Sequence, residues 1–236
     1  MTTIADNLQR VHERIALACA AAHREPSEVT LLAVSKTFGP EAIREAAAAG
    51  QIAFGENYIQ EAVEKIAMLH PLRLQWHCIG PIQSNKTRLV AAHFDWAHSV
   101  DRLKTAQRLS EQRPAGMAPL QVCIQVNIDG GPTKAGVAPR EVLPLAQEVA
   151  RLPHIALRGL MTIPEPASDF ADQKAIHLRA KALFDQLRDA GLALDTLSMG
   201  MTGDLEAAIA AGSTMVRVGT AIFGTRPVKE DPSSRA

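Results

Sequence analysis

The sequence predicts an α/β protein: a single (β/α)8 barrel of the TIM type, with an extra helix at its N-terminus. Three observations carry this. Eight short apolar runs suit buried strands, and each is separated from the next by a stretch with helical periodicity. Regular strand–helix alternation specifies a parallel sheet, because parallel neighbours need a crossover between them. The roughly 210 residues left for eight βα units lie near the lower end for a closed barrel. A doubly wound open sheet is the alternative, since counting strands does not show closure.

The elements follow in order. Ile4, Leu8, Val11, Ile15, Leu17 and Ala18 recur at helical spacing between Thr2 and Ala22, with a polar opposite face. After Pro26 the strands are predicted at Thr30–Ser35, Ile52–Phe54, Leu74–Ile79, Trp96–Ser99, Leu120–Asn127, Ala156–Leu160, Thr196–Ser198 and Met215–Val218. Helices are predicted between them at Glu41–Ala49, Tyr58–Met68, Ser84–Ala92, Asp101–Glu111, Arg140–Arg151, Phe170–Ala190 and Asp204–Ala211. No linker or break in composition divides the chain. One domain is therefore expected over residues 1–228, followed by a polar, flexible tail at 229–236.

Composition excludes several classes of function. Apolar residues make up 47% of the 236 and aromatics only 4%, so Ala, Leu, Val and Ile must fill the core. Acidic and basic residues balance at 25 each, which leaves no electrostatic footprint for nucleic acid or an anionic membrane. No apolar run approaches the length of a membrane span, and the first residues lack the basic start and apolar stretch of a signal peptide. Cys19, Cys78 and Cys123 are odd in number and far apart, which fits core thiols rather than a disulfide framework or a metal site. The histidines show no ligand spacing, so no metal is expected. These readings describe a cytoplasmic protein with reduced thiols.

Lys36 is the most informative residue. It follows the apolar run Leu31-Leu-Ala-Val-Ser35, at the end of a parallel strand where α/β folds place their chemistry. Such a lysine is either solvated in a loop or held in a pocket. Partial burial would lower its pKa and free the amine for attack on a carbonyl. Two late segments favour the pocket. Ser198-Met-Gly-Met-Thr-Gly-Asp204 and Arg217-Val-Gly-Thr-Ala-Ile-Phe-Gly224 combine glycines with hydroxyls after the seventh and eighth strands. Barrel enzymes frequently bind phosphate there. An ordinary helix cap at Thr202 or Gly203 explains the first segment less fully. An amine facing a phosphate site suggests a Schiff base with a phosphorylated aldehyde, and pyridoxal 5'-phosphate is the leading candidate.

Other segments remain open on the residues alone. Asn57, in Gly55-Glu-Asn-Tyr58, either faces a ligand or caps the next helix. His77, Gln83 and Lys86 are candidates for one barrel rim. Lys134 lies in the glycine-rich stretch Asn127–Gly136, a mobile lid or a plain connection. Met161 either packs beneath a ring or fills the core.

Taken together, Ala33-Val-Ser-Lys36, Phe54-Gly-Glu-Asn-Tyr58, His77-Cys-Ile-Gly80, Gln83-Ser-Asn-Lys86, Gly159-Leu-Met161, Ser198-Met-Gly-Met201 and Val216–Gly224 resemble the pyridoxal phosphate homeostasis protein family, whose fold is that of the alanine racemase N-terminal domain. The resemblance runs from the N-terminal helix to Arg226. It implies pyridoxal 5'-phosphate held as an aldimine on Lys36. Ser198, Thr202, Gly219 and Thr220 would lie at the phosphate, Asn57 would line the ring pocket, and Arg217 would approach the pyridine nitrogen. Met161 is kept as a further cofactor contact, and Lys134 would assist cofactor exchange. The implied function is cofactor homeostasis and delivery without a dedicated substrate, with apo pyridoxal-phosphate enzymes as partners and a monomeric state. Thr202 departs from the serine of many relatives but keeps the hydroxyl, and Gly130-Gly-Pro-Thr133 departs before Lys134. The alternatives are a pyridoxal-phosphate amino-acid racemase, with His77 as a second acid/base, a lysine Schiff-base aldolase without cofactor, and a non-catalytic scaffold.

Overall fold

The structure is a computed structural model that describes residues 3–131 and 135–225; Lys134 and the 229–236 tail lie outside them. Eight parallel strands close into a barrel in sequence order. They are β1 (Thr30–Val34), β2 (Ala53–Glu56), β3 (Gln75–Cys78), β4 (Trp96–Val100), β5 (Leu120–Val126), β6 (Ile155–Thr162), β7 (Thr196–Ser198) and β8 (Met215–Val218). Closure is made by β1 against β8, with Leu31 opposite Val216, Leu32 opposite Arg217 and Ala33 opposite Val218. The open-sheet alternative is thereby excluded.

Strands buried on both faces read as continuous apolar runs rather than alternating ones. Leu31, Leu32, Ala33 and Val34 are all buried, as are all five residues of β4. Around the barrel run α2 (Pro40–Ala48), α3 (Ile59–Leu69), α4 (Thr87–His93), α5 (Leu103–Gln112), α6 (Pro139–Val149), α7 (Phe170–Asp189) and α8 (Leu205–Ala210). The extra helix α1 (Ile4–Ala21) starts in a Thr3/Asp6 capping box. It lies against α2, α8 and the four-residue α9 (Thr220–Phe223), on the outer wall across the β1–β8 seam. Leu8, Val11, Ile15, Ala18 and Cys19 form its buried face; Leu17, counted with the apolar set in the sequence, falls off that face and is exposed.

Most element ends shift by one to three residues from the sequence reading, and two differences have a clear physical reason. Helix α4 begins at Thr87 rather than Ser84, because Thr87 spends its hydroxyl on the Ser84 carbonyl and Lys86 N–H bonds back to Gln83 in a turn. Helix α9, at four residues, is too short to show a helical period in the sequence. A hydrophobic layer between sheet and helices accounts for most buried apolar side chains. Inside the barrel sit Trp96, Cys123 and Met161, together with the buried polar residues His77, His98 and Arg217.

Gly159 marks where β6 leans on β7: a Cβ there would stand 1.7 Å from the Thr196 carbonyl oxygen. No rotamer change relieves a clash with backbone. Gly159→Ala should therefore lower unfolding free energy by about 3 kcal/mol, read as a shift of the urea midpoint. A wild-type midpoint would show that the two strands are not packed this closely.

Candidate functional site

At the C-terminal ends of the strands lies a cavity of ≈ 300 Å³. Lys36, Asn57, Thr202, Arg217, Gly219 and Thr220 line it, with Val34, Ile79, Ile163 and Met201 as apolar wall. Six of the residues singled out in the sequence are thus brought together from four loops and β8. A wider groove of ≈ 660 Å³, lined by Leu17, Phe170 and Lys174 among others, runs along α1 on the outer wall. It contains no strand-end residue and is a separate surface.

Lys36 is half-buried, and both of its neighbours are gripped by a charged cluster. Ser35 donates its hydroxyl to Glu56 Oε1 at 2.7 Å, and its carbonyl accepts from Lys65 Nζ at 3.1 Å. Lys65 Nζ also donates to Glu56 Oε1 at 2.9 Å and reaches Glu61 Oε1 at 2.6 Å. Thr37 donates its N–H to Glu61 Oε1 at 3.2 Å. Its φ of +70° lies in the left-handed region, which costs a β-branched residue about 1–2 kcal/mol. The peptide carrying Lys36 is therefore held in a strained course from both sides. The sequence carried a signal for this: Lys65 falls on the same face of α3 as the buried Ile59, Ala62 and Leu69.

Asn57 is not the cap of α3; Tyr58 occupies that position, without a side-chain cap bond. The Oδ1 of Asn57 is buried and finds no partner among the described residues, although the residue lines the cavity. A buried amide oxygen without a partner marks a place for a donor. At the opposite side, Asp204 closes the Ser198–Asp204 loop. Its Oδ1 accepts from Met201 N–H at 2.6 Å, and its Oδ2 pairs with His177 Nε2 at 2.9 Å. Burial raises the Asp204 pKa, but these bonds outweigh it and hold the carboxyl below its ordinary value. The loop so fixed presents Thr202 and Gly203 to the cavity, facing Gly219 and Thr220.

Arg217 projects from β8 and is buried. Its Nη1 donates to the Ser198 carbonyl at 2.7 Å and to Ser198 Oγ at 2.9 Å; its Nη2 donates to the Thr162 carbonyl at 2.8 Å. Three of five N–H donors are thus used, all on neutral acceptors. Burial lowers its pKa to about 10, which leaves it cationic at neutral pH.

The remaining candidates lie elsewhere. Ser198 is fully buried beneath Arg217 and does not line the cavity. Met161 is deeper still, packed with Trp96 and Cys123 in the barrel interior, so it fills core. Lys134 falls outside the described residues. His77 is not on the rim: it is enclosed in the barrel, where burial pushes its pKa down to about 3. Gln83 and Lys86 do reach the surface, in a neighbouring groove that shares Asn57. Glu56, Glu61, Lys65 and His98 were not singled out as site residues from the sequence.

Lys65→Met should cost about 3–5 kcal/mol, because it strands Glu56 in the interior. The pH dependence has a definite sign. Burial already raises the Glu56 pKa, and Lys65 opposes that rise. Without Lys65 the folded state takes up a proton at a pH where unfolded Glu does not. The deficit relative to wild type should therefore shrink as pH falls through the raised value. Urea unfolding at several pH values checks this; a deficit independent of pH would mean that Glu56 is not Lys65's ionised partner.

The family model of the alanine racemase N-terminal domain matches residues 6–227. A protein of Pseudomonas aeruginosa named pyridoxal phosphate homeostasis protein is 59% identical over 226 residues, covering 96% of this chain and 97% of that one. PipY of Synechococcus elongatus, solved without PLP, superimposes with a TM-score of 0.84 at 39% identity, covering 94% of this chain and all (100%) of that one. The same protein with PLP bound gives a TM-score of 0.79 at 40% identity, covering 89% of this chain and 100% of that one. The chain therefore belongs to the pyridoxal phosphate homeostasis protein family, built on the alanine racemase N-terminal domain.

Proposed function

We propose that this protein binds pyridoxal 5'-phosphate in the barrel-mouth cavity, with Lys36 as the covalent anchor, and serves intracellular homeostasis of the cofactor. The observation that carries this is the joint presence of the Lys36 amine, the spare donor edge of Arg217 and the Thr202/Thr220 hydroxyls around one ≈ 300 Å³ space. PipY, solved with PLP bound, and the name of the Pseudomonas relative support it. The cofactor supplies an aldehyde that condenses with the amine, a C=N bond forming as water leaves.

Each residue then has a task. Lys36 offers its amine from a backbone fixed by Glu56, Lys65 and Glu61. Arg217 donates toward the ring nitrogen. Asn57 offers an amide beside the ring. Thr202 and Thr220, with the backbone of Gly203 and Gly219, receive the phosphate. Ile79, Ile163 and Met201 shield the amine from water. Ser198 does not line the cavity and bonds to Arg217, so its task is to hold the guanidinium rather than the phosphate. Exchange through Lys134, delivery to apo enzymes and a monomeric state belong to the same proposal.

A role without substrate turnover is supported by the lining. Among the described residues there, only Lys36 and Arg217 carry ionisable side chains, and Arg217 stays protonated at neutral pH. A racemase needs a second base on the other side of the substrate carbon, and His77 is walled off in the core.

Protein incubated with pyridoxal 5'-phosphate should show a visible absorbance band that borohydride abolishes, with the pyridoxyl group mapped to Lys36. Lys36→Ala should lose both. A colourless, unmodified wild type would overturn the cofactor reading. Rapid solvent-deuterium exchange at the α-carbon of an amino acid, lost in Lys36→Ala, would overturn the absence of turnover.

A further inference from the structure

Beneath the cavity, a line of buried polar groups crosses the barrel and is used by nothing described so far. Arg217 Nη1 lies 2.9 Å from Ser198 Oγ. Ser198 Oγ lies 3.1 Å from His98 Nδ1. His98 Nε2 lies 2.9 Å from His77 Nδ1, and His77 Nε2 lies 3.0 Å from Gln75 Oε1. Ser198, His98 and His77 are 0% exposed, whereas Gln75 stands in solvent at the start of β3.

One direction along this line gives every donor an acceptor. A guanidinium only donates, so Ser198 accepts from it. The single hydroxyl hydrogen of Ser198 then goes to His98 Nδ1. His98 must carry its proton on Nε2 and donate it to His77 Nδ1. His77 in turn carries its proton on Nε2 and donates to the Gln75 carbonyl. Every donor meets an acceptor only if both rings are neutral and both are Nε2–H tautomers. An extra proton on His98 Nδ1 would take the place of the Ser198 hydroxyl hydrogen and leave that hydroxyl without an acceptor in the line. The packing fixes the rings as well: His77 stacks on Trp96 at 5.2 Å with an interplanar angle of 7°. Burial of both rings lowers their pKa values, in agreement with the neutral assignment.

We propose that His98 and His77 are positioning residues for Arg217, acting through a one-way hydrogen-bond chain from Arg217 through Ser198, His98 and His77 to Gln75. The chain commits one end of the guanidinium to the barrel floor. It thereby leaves Nε–H and one Nη2–H for the cavity that Arg217 lines. The chain stands on the protein alone; its effect on the cofactor rests on the function proposed above. Networks of this kind act as a unit, so a break far from the ligand is felt at the ligand.

The test has two arms. Long-range ¹H–¹⁵N spectra of the full chain without cofactor should show His77 and His98 as neutral Nε2–H tautomers, unchanged between about pH 5 and pH 8. Ser198→Ala should shift the His98 Nδ1 resonance, because its donor is gone. A proton on Nδ1 of either ring, or titration within that range, would overturn the chain. In the second arm, His98→Phe fills the space without hydrogen bonds. It should release pyridoxal 5'-phosphate about tenfold faster and shift the absorbance band, while borohydride still traps the pyridoxyl group on Lys36. His98→Gln, which can accept at one end and donate at the other, should recover part of the loss. Wild-type release and spectrum in both His98→Phe and Ser198→Ala would overturn the positioning role; if His98→Phe fails to fold, Ser198→Ala decides alone. Failure of the wild type to take up the cofactor would instead refute the function, and the nitrogen spectra would still decide the chain.

Discussion

Everything at the barrel mouth depends on the ladder between β1 and β8. It pairs Leu32 with Arg217 and Ala33 with Val218, and so sets Lys36 beside Gly219 and Thr220 although most of the chain separates them. Gly219 must be small for this approach, since a Cβ there would lie 3.1 Å from the Val34 carbonyl oxygen. Closing so long a loop costs entropy that grows only slowly with its length, and burying Leu32, Val216 and Val218 completely helps to offset it. The extra N-terminal helix belongs to the same seam. Asn7 donates to the Ile222 carbonyl at 2.9 Å, Ile4 N–H donates to Glu45 at 3.0 Å, and Arg14 donates to Glu206 at 2.9 Å and to the Thr202 carbonyl at 3.1 Å. Helix α1 thus ties α2, α8 and α9 together over the join, and one of its side chains holds the loop that carries Thr202.

Two buried cations near this seam are handled in opposite ways. Lys65 is neutralised by Glu56 and Glu61, and its ammonium also holds the Ser35 carbonyl. It is a self-contained structural group whose effect is to fix the peptide bearing Lys36. Arg217 bonds only to carbonyls and a hydroxyl among the described residues, with the Asp204 carboxylate acting on it at longer range. Desolvating a cation without an anion in contact is expensive. Placed at a cavity with two donors unspent, such a group is matched to an acceptor that arrives from outside. The contrast separates a residue that holds the scaffold from one that waits for a ligand.

How much of this was legible in the sequence follows from what periodicity encodes. Each of the eight strands was recognisable, because apolar runs and helical spacing are local properties. Closure was not, since pairing of β1 with β8 is a long-range choice that strand count leaves open. Lys36 was legible from its strand end, and Thr202, Gly219 and Thr220 from hydroxyl and glycine clusters that are local as well, whereas Asn57 and Arg217 took their roles only from the family resemblance. Ser198 and Met161 point inward at the ends of β7 and β6, and depth within a barrel has no local signature. His98 escaped notice for the same reason. It is one of two polar letters in a strand of five, and its meaning lies in partners 21 and 100 residues away. The position of Lys65 on the buried face of α3 was a readable violation of pattern, of the kind that marks a functional neighbourhood.

The polarity of the hydrogen-bond chain bears on why such a site would hold a cofactor rather than exploit it. Carbanion chemistry on a pyridoxal ring gains most from an acidic partner that keeps the ring nitrogen protonated. Arg217 cannot be that partner. Its guanidinium stays charged at neutral pH, and in the proposed pose a cation facing the nitrogen would disfavour a second positive charge there. Nor does the chain behind it relay a proton toward the cavity, because every link from Arg217 to Gln75 donates away from the ring. The site therefore directs donors and an amine at the cofactor, which favours retention. Among the described lining residues, no carboxylic acid and no second base accompanies them.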